Sequence, residues 1–426
     1  MEEQHGRRIP HGGAAPCDSQ GRTVMTQTPR PLPLAREHPL APPPEYARLR
    51  EESPVCPVAL PDGKTGWLLT RFADVTSALI HPDVSARRGF QTSVTSVTLT
   101  PEEYLASGFG TSFIGMDPPE HTRYRRLLTG QFTVRRLKAL APRIEEIVDQ
   151  HLDAMVAAGP PADLVRDFAL PVPSMVICEL LGMPYTESKQ FQQRTDTIMR
   201  LERTKDELLD AMTGMASDMR AFVQEKRRSP DEGLLSGLIE AVPSDGVPLT
   251  DDELVAIGNL MVIAGYATTA NMLGLGALAL LTHRTQWVNL CEHPEYVERG
   301  VEEMLRFLTV GPFCLPRSAK ADLEIGGQKI SAGDPILLST ESANRDPAQF
   351  DAPDVMDVTR EPKRHVGFAY GAHQCLGQEL ARMEMRIAFG RLTRRLPGLR
   401  LAVPVEQVPM CSDMQIYGAH EIPVTW

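Results

Sequence analysis

The sequence predicts a mainly α-helical protein with a smaller β-rich region, a single large domain built round one long central helix. Three observations lead there. Apolar residues recur at three- and four-residue steps through 135–159 and 205–228, the pattern of amphipathic helices. Strand signals are fewer, confined to 66–72, 321–340 and short extended runs after 396. No charged residue interrupts the stretch from Leu254 to Thr282, which is long enough for a central helix.

Taken in order, residues 1–30 have no apolar core typical of a signal and read as a disordered tail or extension, with a Pro-rich lead-in behind them. The domain proper is expected over 31–426. "GWLLTRF" (66–72) is the first strand signal. The helix over 205–228 closes on basic residues, which suit a helix C-terminus. Over 250–283 the length would also allow a membrane span. Asn259, Tyr266, Thr268, Thr269 and Asn271 in its middle, and the Thr250/Glu253 capping box at its start, favour a buried core helix instead. "ADLEIGGQKISAGDPILLST" (321–340) reads as a hairpin turning at Gly326–Gly327, then another strand. "QELARMEMRIAFGRLTRRL" (378–396) is a further amphipathic helix.

Over 426 residues, 42% hydrophobic and 23% charged, the composition is that of an ordinary globular protein. A formal net charge of −11 argues against a general nucleic-acid binder. The seven cysteines (Cys17, Cys56, Cys178, Cys291, Cys314, Cys375 and Cys411) form no CxxC pair, and such a dispersed odd set suits a reducing cytoplasm. Most read as small core residues. Cys375 differs, because it lies between a glycine-rich turn and a helix start in "GFAYGAHQCLGQELARMEM" (367–385). Unsatisfied N–H groups and the helix dipole lower a thiol's pKa there, which would allow a nucleophile, a redox thiol or a metal ligand. Gly371 and Gly377 permit close backbone approach. A zinc site is a weaker reading of His373 and Cys375, since no second ligand pair stands at zinc spacing.

The pattern F-x-x-G-x-H-x-C-x-G, formed by Phe368, Gly371, His373, Cys375 and Gly377, resembles the cytochrome P450 superfamily. "EHTRYRRLLTGQFTVRR" and "AYGAHQCLGQELAR" resemble its soluble actinobacterial haem-thiolate monooxygenases of secondary metabolism. The agreement runs from about residue 45 to 426. The resemblance implies the cytochrome P450 fold and haem b (iron protoporphyrin IX), with Cys375 as axial iron ligand and Phe368 beside its sulfur. It implies propionate contacts for His373, for His121 and Arg125 in "DPPEHTRYRRLL", and for Arg317 in "PRSAKADLEIGG". The family's E-x-x-R is met by Glu303 and Arg306; where the family completes that cluster with Arg or His, this sequence places Val355.

A second departure lies in the central helix, where the family's A/G-G-x-acid-T reads Ala264-Gly265-Tyr266-Ala267-Thr268. Oxygen activation needs protons at the distal oxygen. The resemblance gives Thr268 a hydroxyl that donates and accepts there, and leaves Gly265 to let the helix open. Ala267 cannot relay protons as the usual acid does. Water or another side chain replaces that relay, a polar substrate does, or the reaction is a less usual one such as epoxidation, ring formation or oxidative coupling.

What the resemblance implies in sum is an O2-dependent monooxygenase, cytoplasmic and monomeric, taking two electrons from an external ferredoxin and ferredoxin reductase. It would hydroxylate or otherwise oxidise a natural-product scaffold (macrolide, peptide or terpenoid), with no nucleic-acid or membrane partner. A catalytically silent haem-binding protein is the alternative from another class. Substrate-contact regions map to 86–112, 185–206, the central helix, 310–316 and 411–417, with Phe90, Phe109, Met199, Phe313 and Met414 among polar residues. Arg360, Lys363, Arg364, Arg391, Arg394 and Arg395 form a candidate basic face for an acidic ferredoxin.

Overall fold

The computed structural model describes residues 28–60, 63–87, 97–241, 243 and 245–426. Most of the expected tail, and Phe90, lie outside them. Arg30, the last residue assigned to that tail, already pairs with Val58 in a short parallel strand.

The helices that bear on function are α1 (Phe72–Ile80), α2 (Glu120–Gln131), α3 (Val134–Ala158), α4 (Pro171–Leu181), α5 (Tyr185–Met199), α6 (Lys205–Arg228), α7 (Asp251–Thr282), α8 (Val297–Phe307) and α9 (Gln378–Arg395). Three of their starts are capped by threonine, and of these the Thr250/Glu253 box was legible in the sequence. The Thr133 side chain accepts from the Arg136 N–H, and Thr204/Glu207 and Thr250/Glu253 form reciprocal capping boxes, each satisfying backbone donors left over at a helix N-terminus. α7 has 32 residues and is about 48 Å long. It packs against α4, α6 and α9, so its all-round apolar surface is met by protein, as expected of a core helix.

The strands gather to one side. One sheet runs in the order Arg30–Pro31, Val55–Ala59, Thr65–Leu69, Pro335–Leu338, Leu315–Ala319, Val84–Ser85. The expected hairpin pairs Leu323–Ile325 with Gln328–Ile330, and Gly326 (φ 58°) and Gly327 (φ 76°) take the left-handed conformations of a two-residue turn that twists with its strands. A three-stranded sheet joins Arg400–Leu401, Pro423–Thr425 and Ala162–Asp163, tying the C-terminus to the start of the α4 region. The buried apolar residues form one large cluster around α3, α8, α9 and the second half of α7, and another around α5, α6 and its first half. The middle of α7 lies where the two meet, and there the candidate site is built.

Candidate active site

The cysteine loop is shaped by its backbone. The Cys375 N–H donates to the Phe368 carbonyl at 2.9 Å, closing the turn that precedes α9. Gly371 takes φ 77°, and a Cβ there would stand 2.8 Å from the Leu79 carbonyl oxygen, so only glycine lets the loop lie against the end of α1. Gly377 caps α9, and its N–H hydrogen-bonds the Cys375 sulfur. That bond, Arg125 and Arg382 all pull the thiol pKa down, yet burial outweighs them and the net shift is upward. The expectation of a helix start alone lowering it is thus corrected. The sulfur is accessible but deep, enclosed by surrounding atoms rather than displayed on the outer surface.

Next to the loop, basic side chains converge from three distant parts of the chain. The His121 and His373 rings lie 4.1 Å apart, centroid to centroid. Both Nε2 atoms are buried without a hydrogen-bond partner among the described residues. Burial, reinforced by His121, Arg317 and Arg125, pushes the His373 imidazole down to about 4. Arg317, on a central strand of the sheet, donates to the Pro316 carbonyl at 2.8 Å, and no described acid forms an ion pair with it or with Arg125. The nearby Asp117 is engaged elsewhere, accepting from Ser85 Oγ at 2.6 Å and from the Ala86 N–H at 2.9 Å. Buried cations without an anion are costly in a folded protein, and their gathering here fits a group that brings its own negative charges.

Over this region α7 presents its one open line. Leu260, Ala264, Thr268 and Asn271, at three- and four-residue steps, are less buried than their neighbours on the helix. Thr268 Oγ1 donates to the Ala264 carbonyl at 2.5 Å, which fixes the hydroxyl and leaves its acceptor side free. Ala267 is buried in the apolar cluster. Gly265 lies beside Ala264 on this helix, and a Cβ there would lie 2.8 Å from Ile177 Cδ1, so its missing side chain lets α4 pack closely.

Beneath the loop, Glu303 and Arg306 are buried and joined by two hydrogen bonds, 2.7 and 2.8 Å. Val355, assigned the third position, contributes only its carbonyl. The third side chain is Arg360, whose Nε lies 3.2 Å from Glu303 Oε1, and the expected gap in the cluster is thereby corrected. That also removes Arg360 from the basic face. Lys363 pairs with Asp351 at 2.9 Å, Arg391 with Glu145 at 2.8 Å, and Arg395 with Asp153. Of the six cations proposed there, Arg364 and Arg394 are exposed without an acid partner among the described residues.

Sequence reasoning missed two supports. Tyr124 Oη (2.6 Å) and Arg123 Nη1 (2.8 Å) both bond Glu253 Oε1, tying the helix that carries His121 and Arg125 to the start of α7. Glu302 binds both Arg382 and His365; its neighbour Glu303 drew attention through a motif, whereas Glu302 carries no local signal.

Of the substrate-region residues, Phe313 and Met414 line a cavity of about 430 Å3 together with Leu201, Cys411 and Tyr417. The end of α5 is pinned there: Met199 O accepts from the Gln415 N–H (2.7 Å), and Asp413 O from the Leu201 N–H (2.8 Å). Phe109 is buried in the core.

Two histidines and two arginines lacking acids of their own, beside a reachable thiol, suit an iron porphyrin whose carboxylates take the cations while its metal takes the sulfur. The fold and the site define a haem-thiolate protein. A sequence model of the family described as "Cytochrome P450" matches residues 288–413. Cytochrome P450 105C1 of a Streptomyces species is 41% identical over 403 residues, covering 94% of this chain and 100% of its own. Pentalenic acid synthase of Streptomyces avermitilis is 41% identical, covering 95% of this chain and 99% of its own. The crystal structure of CYP105P1 in complex with filipin I superposes with a TM-score of 0.88 at 40% identity, covering 94% of this chain and 99% of that one. This chain belongs to the cytochrome P450 family. It is a haem b enzyme, an O2-dependent monooxygenase.

Proposed function

We infer that Cys375 would ligate the haem iron, that His121, Arg125, Arg317 and His373 would hold the propionates, and that the substrate lies between the open line of α7 and the Phe313/Met414 wall. The observation that carries this is the pair of arginines without acid partners and the pair of histidines with unpartnered Nε2 atoms, beside a thiol whose sulfur already accepts the Gly377 N–H. The haem supplies oxygen activation at the iron; the chain holds it, shapes the space above it and supplies a hydroxyl at Thr268. The reduced protein with carbon monoxide should show a thiolate-type absorption band that Cys375→Ser abolishes. A band that survives the substitution overturns the assignment.

Thr268 is the residue of this chain whose hydroxyl would hold or pass a proton at the haem site, since Ala267 has no titratable group and sits in apolar surroundings. Thr268→Ala should release more hydrogen peroxide per electron pair and form less product. Unchanged coupling would place the proton route elsewhere. An acid at 267 would be buried there at a desolvation cost, so the threonine variant is the cleaner probe.

The substrate is a natural-product-sized scaffold: the cavity wall combines Leu201, Phe313, Met414 and Tyr417 with Arg36, Glu37, His38 and Ser412, apolar area with polar and charged anchors. A relative named pentalenic acid synthase and a solved structure in complex with filipin I support an organic small-molecule substrate, and hydroxylation is the reaction proposed. The protein works as a cytoplasmic monomer. Electrons come from a ferredoxin system docking on a narrower face than the sequence suggested. Arg364, beside the cysteine loop, and Arg126, next to Arg125 on α2, are exposed and acid-free among the described residues. Charge reversal at either should slow reduction at low salt and lose its effect at high salt. Arg391→Glu should leave the rate unchanged, and an equal slowing by it would discard this face.

A further inference from the structure

Phe368, whose carbonyl closes the Cys375 turn, carries a guanidinium on its ring: Arg382 Cζ lies 4.7 Å from the centroid. Arg382 is held there by a carboxylate, not by the ring. Its Nε and Nη2 bond the two oxygens of Glu302 at 2.6 and 3.1 Å, and Nη1 reaches Gln378 (3.1 Å) and Glu379 (3.2 Å). Glu302 Oε2 also meets His365 Nε2 at 3.1 Å, and the His365 ring stands 6.3 Å from Phe368. Burial raises the Glu302 pKa, but the bonds from His365 and Arg382 and the Arg382 charge bring it to about 2, so the pair is ionised across the neutral range. Arg382 and Cys375 are close enough for their charges to interact.

A half-buried, bidentate ion pair is weak evidence for stability, because the desolvation of both charges offsets much of their attraction. This one does something a pair of apolar residues could not. It fixes a cation on the outer face of the ring next to the sulfur, and sets a carboxylate behind it that cancels much of its field. Arg125, the other cation near the sulfur, has no such partner.

We propose that the Glu302–Arg382 pair positions Phe368 and sets the local field at the Cys375 sulfur, and with it the potential at which the haem iron is reduced. The inference rests on Cys375 as iron ligand. Adding an electron makes the iron–sulfur unit more negative, so the two halves of the pair act in opposite directions. Glu302→Gln removes the main counter-charge of Arg382, leaving it only the more exposed Glu379, and should make reduction easier; Arg382→Leu leaves Glu302 with His365 alone and should make it harder. Each change should be up to about tenfold in the ferric–ferrous equilibrium, about 59 mV for one electron. Arg382→Lys keeps the charge but not the fork, and should lie near wild type.

The test is spectroelectrochemical titration of the haem-loaded proteins, each checked for the thiolate-type carbon monoxide band. Shifts of opposite sign support the inference. Shifts of the same sign, or none, with the band intact, mean the pair is only a structural tie and overturn it. Absence of the band in the wild type would instead remove the ligand assignment. If Arg382→Leu takes up no haem, Glu302→Gln and Arg382→Lys decide: a rise in the first and none in the second supports the inference, and no rise in the first overturns it.

Discussion

A Glu303→Gln protein is expected to lose about 3–5 kcal/mol of folding stability, the largest loss among the substitutions considered. Glu303 and Arg306 are each 3% exposed. Arg306 uses its whole fork: two bonds to Glu303, and Nη1 to the carbonyls of Asn344 (3.0 Å) and Pro353 (2.8 Å). Glu303 Oε1 in turn accepts from the Asp357 N–H at 3.0 Å and faces Arg360. Glutamine is nearly the same shape but carries no charge, so two guanidiniums remain with neutral partners, that of Arg306 in a place that solvent does not reach. Arg360, at 16% side-chain exposure, can turn outward; Arg306 cannot. The loop from 344 to 360, held by these donors, would loosen directly below the cysteine turn. Denaturant unfolding followed by tryptophan emission and by haem absorbance should show both transitions moved to lower denaturant. Arg360→Gln should cost clearly less. A Glu303→Gln protein within about 1 kcal/mol of wild type would show that the cluster owes its place to neutral hydrogen bonds.

The same cluster shows where sequence reading stops. The positions of Glu303 and Arg306 are one helical turn apart, and such spacing is visible in a string of residues. The third arm was sought at Val355, by register along the chain. It comes from Arg360, because an arginine is long enough to reach back across a loop whose own carbonyls, of Asp351, Ala352 and Val355, receive its other donors. Reach across a folded loop has no local signature. The basic face failed for a related reason. Glu145, Asp149 and Asp153 form an acidic row on α3 at four-residue steps, and Arg391 and Arg395 form a basic row on α9. Each row is legible as an amphipathic edge, but that the two rows meet is a fact of packing.

Helix starts, the Gly326–Gly327 turn and the cysteine loop were legible because each is governed by neighbours in sequence: a capping side chain reaches three residues, a two-residue turn is set by its own torsions. Gly265 was read from the pattern around it as a residue that lets the helix open; that its missing side chain also answers to Ile177 on another helix has no local signature. His121, Arg317 and His373 were brought together only by the family resemblance. Nothing in residues so far apart says that they converge.

That convergence has a consequence with a distinctive sign. Arg317→Leu should weaken haem binding about ten- to a hundredfold, since hydrogen bonds to charged groups contribute about 1.5–3 kcal/mol. It should at the same time make the haem-free protein more stable. Without an anion, the Arg317 guanidinium is a charge moved out of water with one carbonyl, that of Pro316, to receive its five donors, and burial depresses its pKa. Leucine removes that penalty and fills similar space. A residue that served only the architecture would weaken both forms together, as Glu303→Gln is expected to. Arg317→Lys separates charge from geometry: a lysine supplies a point charge without the planar fork, so it should recover part of the affinity and none of the haem-free stabilisation. The measurement is a pair of unfolding curves with and without haem, alongside haem transfer to a competing acceptor. Loss of stability in the haem-free Arg317→Leu protein would show that the guanidinium has partners of its own, and would take Arg317 out of the propionate set.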